Sequence, residues 1–239
     1  MNIADKTILI TGASRGIGRA LVDEALRRGA KHVYAGTRGP WLHADVRVTA
    51  VKLDVTSAGD IQRAVGSIDS LDILVNNAGI APYDDLGDPE VLERTFAVNL
   101  FGLLSVTRAF LPLLKRSGGA VVNHLSMVAL AALPLIPAYS ISKAAALNLT
   151  QSLRALLARD GVKVHGVVLG PVDTDMNRGF DIPKATTESA ARGILDGLER
   201  GEEDIFPDPA SQLVADGWRN GTAKALERQF AAFVPGNAA

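Results

Sequence analysis

Two side chains past the middle of the chain are spaced for proton transfer. Tyr139 and Lys143 stand four residues apart in Tyr139-Ser140-Ile141-Ser142-Lys143, and on a helix that spacing puts a phenol and an ammonium on one face. A free phenol has a pKa of ~10, and a neighbouring cation favours its anion, which moves it toward a working acid/base range. Ser126, just after the apolar run Ala120 to Leu125, adds a hydroxyl able to donate to a carbonyl oxygen. Two hydroxyl donors and a cation suit a reaction in which negative charge grows on one oxygen and is then protonated.

A second constellation is built for phosphate. Thr11-Gly12-Ala13-Ser14-Arg15-Gly16-Ile17-Gly18 follows the first apolar run. Glycines there let the backbone turn sharply and approach a ligand, and the helix that begins there offers free N–H groups and its positive dipole end to a pyrophosphate. The spacing is Gly-x3-Gly-x-Gly rather than Gly-x-Gly-x2-Gly. In dinucleotide folds an acid closing the second strand bonds the adenine-ribose 2′-hydroxyl, whereas a nearby Arg accommodates a 2′-phosphate. Here the second run ends Ala35-Gly36-Thr37-Arg38 without an acid. Arg15 and Arg38 therefore favour NADP (NADPH) over NAD, the alternative being two solvated surface arginines.

These groups need a scaffold, and the chain alternates short apolar runs with longer helical patterns. Runs at Thr7 to Ile10, His32 to Ala35, Val46 to Leu53, Leu71 to Val75, Ala120 to Leu125 and Val162 to Val168 are continuous enough for strands buried on both faces. Helical patterns fall at about 16–28, 58–68, 89–116, 138–159 and 186–200. This alternation predicts an α/β fold, a doubly wound parallel sheet with helices on both faces. The tail adds an edge strand around Asp204-Ile205-Phe206 and a covering helix, together spanning about 203–235. No linker, repeat or low-complexity tract divides the chain, so residues 1–239 read as a single domain.

Composition narrows the chemistry. With 239 residues the chain buries enough surface to fold without staples, and with no cysteine it has no thiol nucleophile, disulfide or thiolate metal site. His32, His43, His124 and His165 are scattered without ligand spacing, so no metal is expected. A net charge of -1 argues against nucleic acid. The N-terminus lacks the charged and apolar regions of a signal peptide and no apolar run reaches spanning length, so a cytoplasmic protein without membrane attachment is expected.

Taken in order, Thr11 to Gly18, Leu53-Asp54-Val55, Asn76-Asn77-Ala78-Gly79, Val98-Asn99, Ser126, Tyr139-x3-Lys143 and Gly170-Pro171-Val172-Asp173-Thr174 resemble the motifs of the short-chain dehydrogenase/reductase family, in its single-domain branch. The resemblance runs from Lys6 to about Phe206. It implies a three-layer Rossmann sandwich of about seven strands and transfer of hydride between NADPH and a carbonyl or secondary alcohol. Tyr139 would be the general acid/base, Lys143 would lower its pKa and hold the nicotinamide ribose, Ser126 would polarise the carbonyl, and Asn99 would support a water-linked proton relay. The resemblance also implies that Asp54 and Val55 meet the adenine, that Asn77, Ala78 and Gly79 line the ribose while locking adjacent strands, and that Val172 and Thr174, beside Pro171, bond the nicotinamide carboxamide. A homodimer or homotetramer through the helices at about 97–116 and 138–159 is implied too.

Two departures stand out. Leu169 occupies the place of the family's usual Pro after strand six, which predicts a less rigid turn. The interval between Arg38 and Asp54 is too short for a full helix, and Gly39-Pro40-Trp41 discourages one, so a short turn is expected. For the substrate, the uncharged stretch 127–137, with Val128 and Leu133, joins Met176 and Phe180 of a loop at about 173–185 to suggest an apolar pocket for a hydrophobic ketone or aldehyde. A ketoacyl-thioester reductase is less favoured, because only Arg178 or Lys184 could supply a cationic clamp. A non-catalytic NADP-binding sensor or scaffold is the rival class, and it would not need Asn99, Ser126, Tyr139 and Lys143 together.

Overall fold

The structure, a computed structural model, describes residues 1–234; the last residues of the expected domain and tail helix, 235–239, lie outside the described residues. Its strands are β1 (Thr7–Thr11), β2 (His32–Thr37), β3 (Val48–Lys52), β4 (Ile73–Asn76), β5 (Ala120–His124), β6 (Lys163–Val167) and β7 (Asp204–Ile205). They form one parallel sheet in the order β3-β2-β1-β4-β5-β6-β7. The helices are α1 (Gly16–Arg27), α2 (Ala58–Gly66), α3 (Pro89–Phe96), α4 (Leu103–Ser117), α5 (Pro137–Leu157), α6 (Thr187–Arg200), α7 (Pro209–Arg219) and α8 (Thr222–Ala231).

The continuous apolar strands are explained by the two cores. On one face Ile8, Ile10, Val75 and Val122 pack with Leu21 of α1 and Ile194 of α6. On the other Leu9, Leu74 and Val121 pack with Ile61 of α2 and Val106 and Phe110 of α4. Side chains alternate across each strand, so a strand covered on both faces has no polar side to show. Pro89–Ser117 has the length and the mean hydropathy, 1.6, of a membrane span. Its apolar side chains Val106, Phe110 and Leu114 are nevertheless spent on the second core.

The structure differs from the sequence pattern in two elements. The stretch 89–116 is not one helix: a π-helical turn, Ala97–Gly102, separates α3 from α4. Gly102 lies so close to α2's approach that a Cβ there would be 2.7 Å from Val55 Cγ2, and the buried Asn99 turns its amide away to a neighbouring loop. Such insertions are frequent at functional sites. The tail folds as two helices, broken at Asn220-Gly221, instead of one. Residues 39–47 contain no helix, in line with the short β2–β3 interval.

A buried ion cluster fastens the tail to the sheet. Asp204 accepts from Arg154 Nη2 at 2.7 Å, Lys224 Nζ at 2.8 Å and Trp218 Nε1 at 2.7 Å. Glu227 shares both cations. Burial pushes the Asp204 carboxyl up, but Arg154 and Lys224 outweigh it and hold the pKa below its usual 3.8. The cluster therefore acts at full strength above that unfolded value and is lost as pH falls through the lower, folded one. Asp204→Ala removes the buried carboxylate that Arg154 and Lys224 share, leaving Glu227 alone to face both cations, and should cost about 3–5 kcal/mol. Urea unfolding followed by circular dichroism measures this, and an unchanged midpoint contradicts it.

Candidate active site

The strand order reverses between β1 and β4, and open α/β sheets bind ligands beyond the strand ends at that crevice. A cleft of about 920 Å³ opens there. The glycine loop forms its floor. Gly12 and Gly16 have φ of +66° and +54°, a region costly for residues with a Cβ. At Gly18 a Cβ would stand 2.3 Å from the Gly12 carbonyl oxygen, so only glycine lets α1 begin this close to the turn. Thr11 and Asn77 tie the loop to β4. The Thr11 hydroxyl accepts from the N–H groups of Asn77 and Ala78, both at 3.0 Å. The Asn77 amide donates to the carbonyls of Thr11 at 2.8 Å and Gly12 at 3.2 Å.

The expected cofactor residues Gly12, Ser14, Arg15, Gly16, Ile17, Gly18, Thr37, Arg38, Asp54, Val55, Asn77, Ala78, Gly79 and Thr174 all line this cleft, with Tyr139 and Lys143. Arg38 is held at the mouth by a turn in which the Thr37 hydroxyl donates to the Gly39 carbonyl at 2.8 Å. Asp54 accepts from the Thr56 N–H and hydroxyl at 2.9 and 2.7 Å, and these bonds, aided by Arg38, keep its carboxyl below the usual range against burial. Arg15 Nη1 lies 3.4 Å from Asp175 Oδ2, and Asp175 also pairs with Arg178. A glycine cradle beneath a helix N-terminus, flanked by two exposed guanidinium groups, fits a dinucleotide with an extra phosphate.

Pro171 and Val172 do not line the cleft. Val172 is buried in the first core and bridges to Ala185, and the Pro171 carbonyl accepts from the Ala185 N–H at 3.0 Å. Their contacts anchor the start and return of the loop at 173–185. The turn at Leu169 is firmer than the missing proline suggests. The buried Leu169 accepts from the Met127 N–H at 2.9 Å, and Gly170 N–H donates to Asp208 Oδ2 at 2.9 Å.

At the far end of the cleft stand Tyr139 and Lys143. The Asp84 carboxylate accepts from Ala138 N–H at 3.2 Å, fixing the first turn of α5 that carries Tyr139. Ser126 caps the 3₁₀ turn Met127–Ala129, its hydroxyl accepting from the Val128 N–H at 3.4 Å. Lys143 is buried, its Nζ donating to the His124 carbonyl at 2.7 Å and lying 5.6 Å from the centre of the Tyr139 ring. The expected lowering of Tyr139 by Lys143 is reversed here: burial pushes the phenol up to about 12, with Ser126 opposing. Burial also pushes the Lys143 ammonium down to about 8. Both groups leave water together, and the charged form of each loses more solvation than the pair recovers.

Asn99 does not line the cleft. Its Oδ1 accepts from Ile80 N–H and its Nδ2 donates to the Ile80 carbonyl and the Ser142 hydroxyl, all at 2.9 Å. Ser142 donates in turn to the Tyr139 carbonyl at 2.7 Å. Both amide protons are spent on these bonds, and through Ser142 the side chain ties the loop after β4 to the first turns of α5.

Of the expected substrate residues, only Met176 joins Tyr139 on the cleft wall. Val128 belongs to the 3₁₀ turn, Leu133 to the exposed stretch 131–135, and Phe180 stacks on Tyr83 at 5.6 Å and 25°. That stack joins the loop after β4 to the loop at 173–185 across the mouth. Tyr83, Arg94, His124 and Arg178 line the cleft as well. Sequence spacing carries no signal for these, because each is brought in by loop or helix packing.

A Rossmann-type dinucleotide domain is thus defined by sheet order, glycine loop and cleft. The pattern described as short chain dehydrogenase matches residues 6–184, and the chain belongs to the short-chain dehydrogenase/reductase family of oxidoreductases. It is 34% identical over 209 residues to sorbitol dehydrogenase of Cereibacter sphaeroides, covering 81% of this chain and 80% of that one. It is 31% identical over 207 residues to 2-(R)-hydroxypropyl-CoM dehydrogenase of Xanthobacter autotrophicus, covering 78% and 83%. A crystal structure of a short chain dehydrogenase from Burkholderia cenocepacia in complex with NADP superposes with a TM-score of 0.88 at 37% identity, over 96% of this chain and 98% of that one.

Asn99→Ala removes all three amide bonds. It should lower stability by about 1–3 kcal/mol and reduce turnover more than cofactor affinity, since it frees α5 rather than the glycine loop. Thermal melts with steady-state kinetics test this, and a variant with wild-type turnover contradicts the positioning role.

Proposed function

We propose that the protein is an NADP-dependent oxidoreductase that interconverts a small-molecule carbonyl compound and its alcohol. One observation carries the reading. Tyr139 and, one helical turn on, the buried Lys143 open onto the same cleft as the glycine loop, Arg15 and Arg38. Tyr139 presents a hydroxyl donor to a carbonyl oxygen in the cleft, and Ser126, next in the chain after the cleft residues His124 and Leu125, is the candidate for a second donor to the charge that develops there. A phenol pushed up to about 12 is protonated at neutral pH, so Tyr139 holds the proton that the reduced oxygen needs. Lys143, drawn into the cleft by the His124 carbonyl, is placed to hold the nicotinamide ribose. The nicotinamide, when bound, supplies or accepts the hydride.

Arg15 and Arg38, the lack of an acid at the end of β2, and the NADP in the Burkholderia relative support NADP over NAD. The two curated relatives are named as dehydrogenases of hydroxyl-bearing compounds, which supports an alcohol or carbonyl substrate. Met176, Pro82 and Tyr83 keep part of the wall apolar, while Arg94 and Arg178 add charge at its edge. Phe101, Leu156 and Ile141 on α5 and the turn before α4 are 58%, 52% and 42% exposed. They support assembly into a homodimer or homotetramer.

Tyr139→Phe should reduce turnover by at least about 10²-fold and leave NADPH binding nearly unchanged, as read by nicotinamide absorbance and calorimetry. Retained turnover overturns the mechanism. NADPH should bind at least about tenfold more tightly than NADH, and Arg38→Ala should narrow that gap. Equal affinities in the wild type overturn the NADP assignment.

A further inference from the structure

The cations that line the cleft differ in how far they are already spent. Arg15, 3.4 Å away, and Arg178 both pair with Asp175. Arg38 stands beside Asp54 and helps to lower its pKa, and Lys143 donates to the His124 carbonyl at 2.7 Å. Arg94 lines the same cleft. Among the described residues its guanidinium makes no hydrogen bond and pairs with no carboxylate, Glu90 one turn earlier included. The acids of the loop before α3 are committed to main-chain N–H groups: Asp84 to Ala138 at 3.2 Å, Asp85 to Gly87 at 2.9 Å and Asp88 to Glu90 at 2.9 Å.

The helix decides what Arg94 presents. Side chains sheathe a helical main chain, and the Arg94 carbonyl is taken by the Ala97 N–H, so the guanidinium arm is the part that reaches the wall. Its neighbour Thr95 turns inward, buried, with its hydroxyl donating to the Val91 carbonyl at 2.7 Å, while Arg94 is exposed. Val98, four residues on, lines the cleft as well. Because α3 packs against α5 and Asn99 ties the following π turn to Ser142, the arm belongs to the wall that carries Tyr139. The glycine loop forms the floor, from other elements.

We propose that Arg94 determines the substrate class: the carbonyl compound carries an anionic group, a carboxylate in the simplest case, that pairs with Arg94 while its carbonyl meets Tyr139. The inference rests on the oxidoreductase reading above and narrows its substrate. A guanidinium offers paired N–H donors that match the two oxygens of a carboxylate. Pro82, Tyr83 and Met176 supply the apolar part of the wall, which suits the carbon chain between the two polar ends. On an open surface water would weaken such a pair. In a cleft whose floor is filled by a dinucleotide, less water screens it and the same contact gains.

The test gives the full chain NADPH and keto acids of growing length, 3-oxobutanoate, 4-oxopentanoate and 5-oxohexanoate, each beside its methyl ester. For the best of them the acid should exceed its ester at least about tenfold in kcat/KM, chiefly through KM, and added salt should narrow the gap. Arg94→Ala should bring the ratio of acid to ester close to one, and Arg94→Lys, a point charge in place of a fork, should restore part of it. Should the Ala variant not fold, Arg94→Gln keeps a neutral polar arm and is read the same way. Esters reduced as well as acids by the wild type, or a preference that survives in the Ala variant, overturns the proposal. So does a comparable loss of NADP⁺ affinity in that variant by calorimetry, which would give Arg94 to the cofactor. A wild type that binds NADPH but reduces neither acids nor esters removes the carbonyl-reducing reading itself, and the proposal with it.

Discussion

The hold of β4 on the turn after β1 is the contact on which the rest of the molecule depends. Thr11 and Asn77 exchange side-chain and main-chain hydrogen bonds across the reversal point of the sheet. The crevice exists because the strand order changes direction there, and no neighbouring helix covers it. An unsupported Gly-rich turn would sample many conformations. Pinned by these bonds, it presents N–H groups and the N-terminus of α1 in one arrangement, with no ordering cost when a phosphate arrives.

The opposite wall is organised by burial. Lys143 and Tyr139 sit where water is scarce, and each is pushed toward its neutral form, the amine down and the phenol up. The clasp at the tail shows the contrasting solution. There Arg154 and Lys224 face Asp204 and Glu227 directly, and the carboxylate Asp204 stays ionised in spite of burial. One fold uses the same desolvation twice. Paired charges close a structural joint, while Lys143, with only a main-chain carbonyl to accept from it, is drawn down by burial.

Much of the architecture was legible because parallel strands buried on both faces leave an apolar signature that helices on the surface do not share. The strands could be read in this way, and the short β2–β3 connection from its length. The single helix expected over 89–116 hid a π turn, because hydrophobic periodicity barely registers one inserted residue. Val128, Leu133 and Phe180, expected in an apolar pocket, show a related limit. Apolar character in a loop does not say whether a side chain faces a cleft, a 3₁₀ turn, solvent, or another loop's aromatic ring. Asn99 illustrates the same limit at one residue, its amide committed to Ile80 and Ser142 rather than turned to the cleft.

Sequence alone therefore determined the sheet, the Gly-rich turn after β1, the two arginines at the cleft mouth and the pair four residues apart on α5. These follow from local periodicity, from glycine's missing Cβ and from fixed helical spacing, none of which needs distant residues. Tertiary structure decided the rest: how far burial displaces Tyr139 and Lys143, and which loop residues close the mouth. Those properties depend on solvent exclusion and on partners brought together from remote parts of the chain, such as Tyr83 with Phe180 or Gly170 with Asp208.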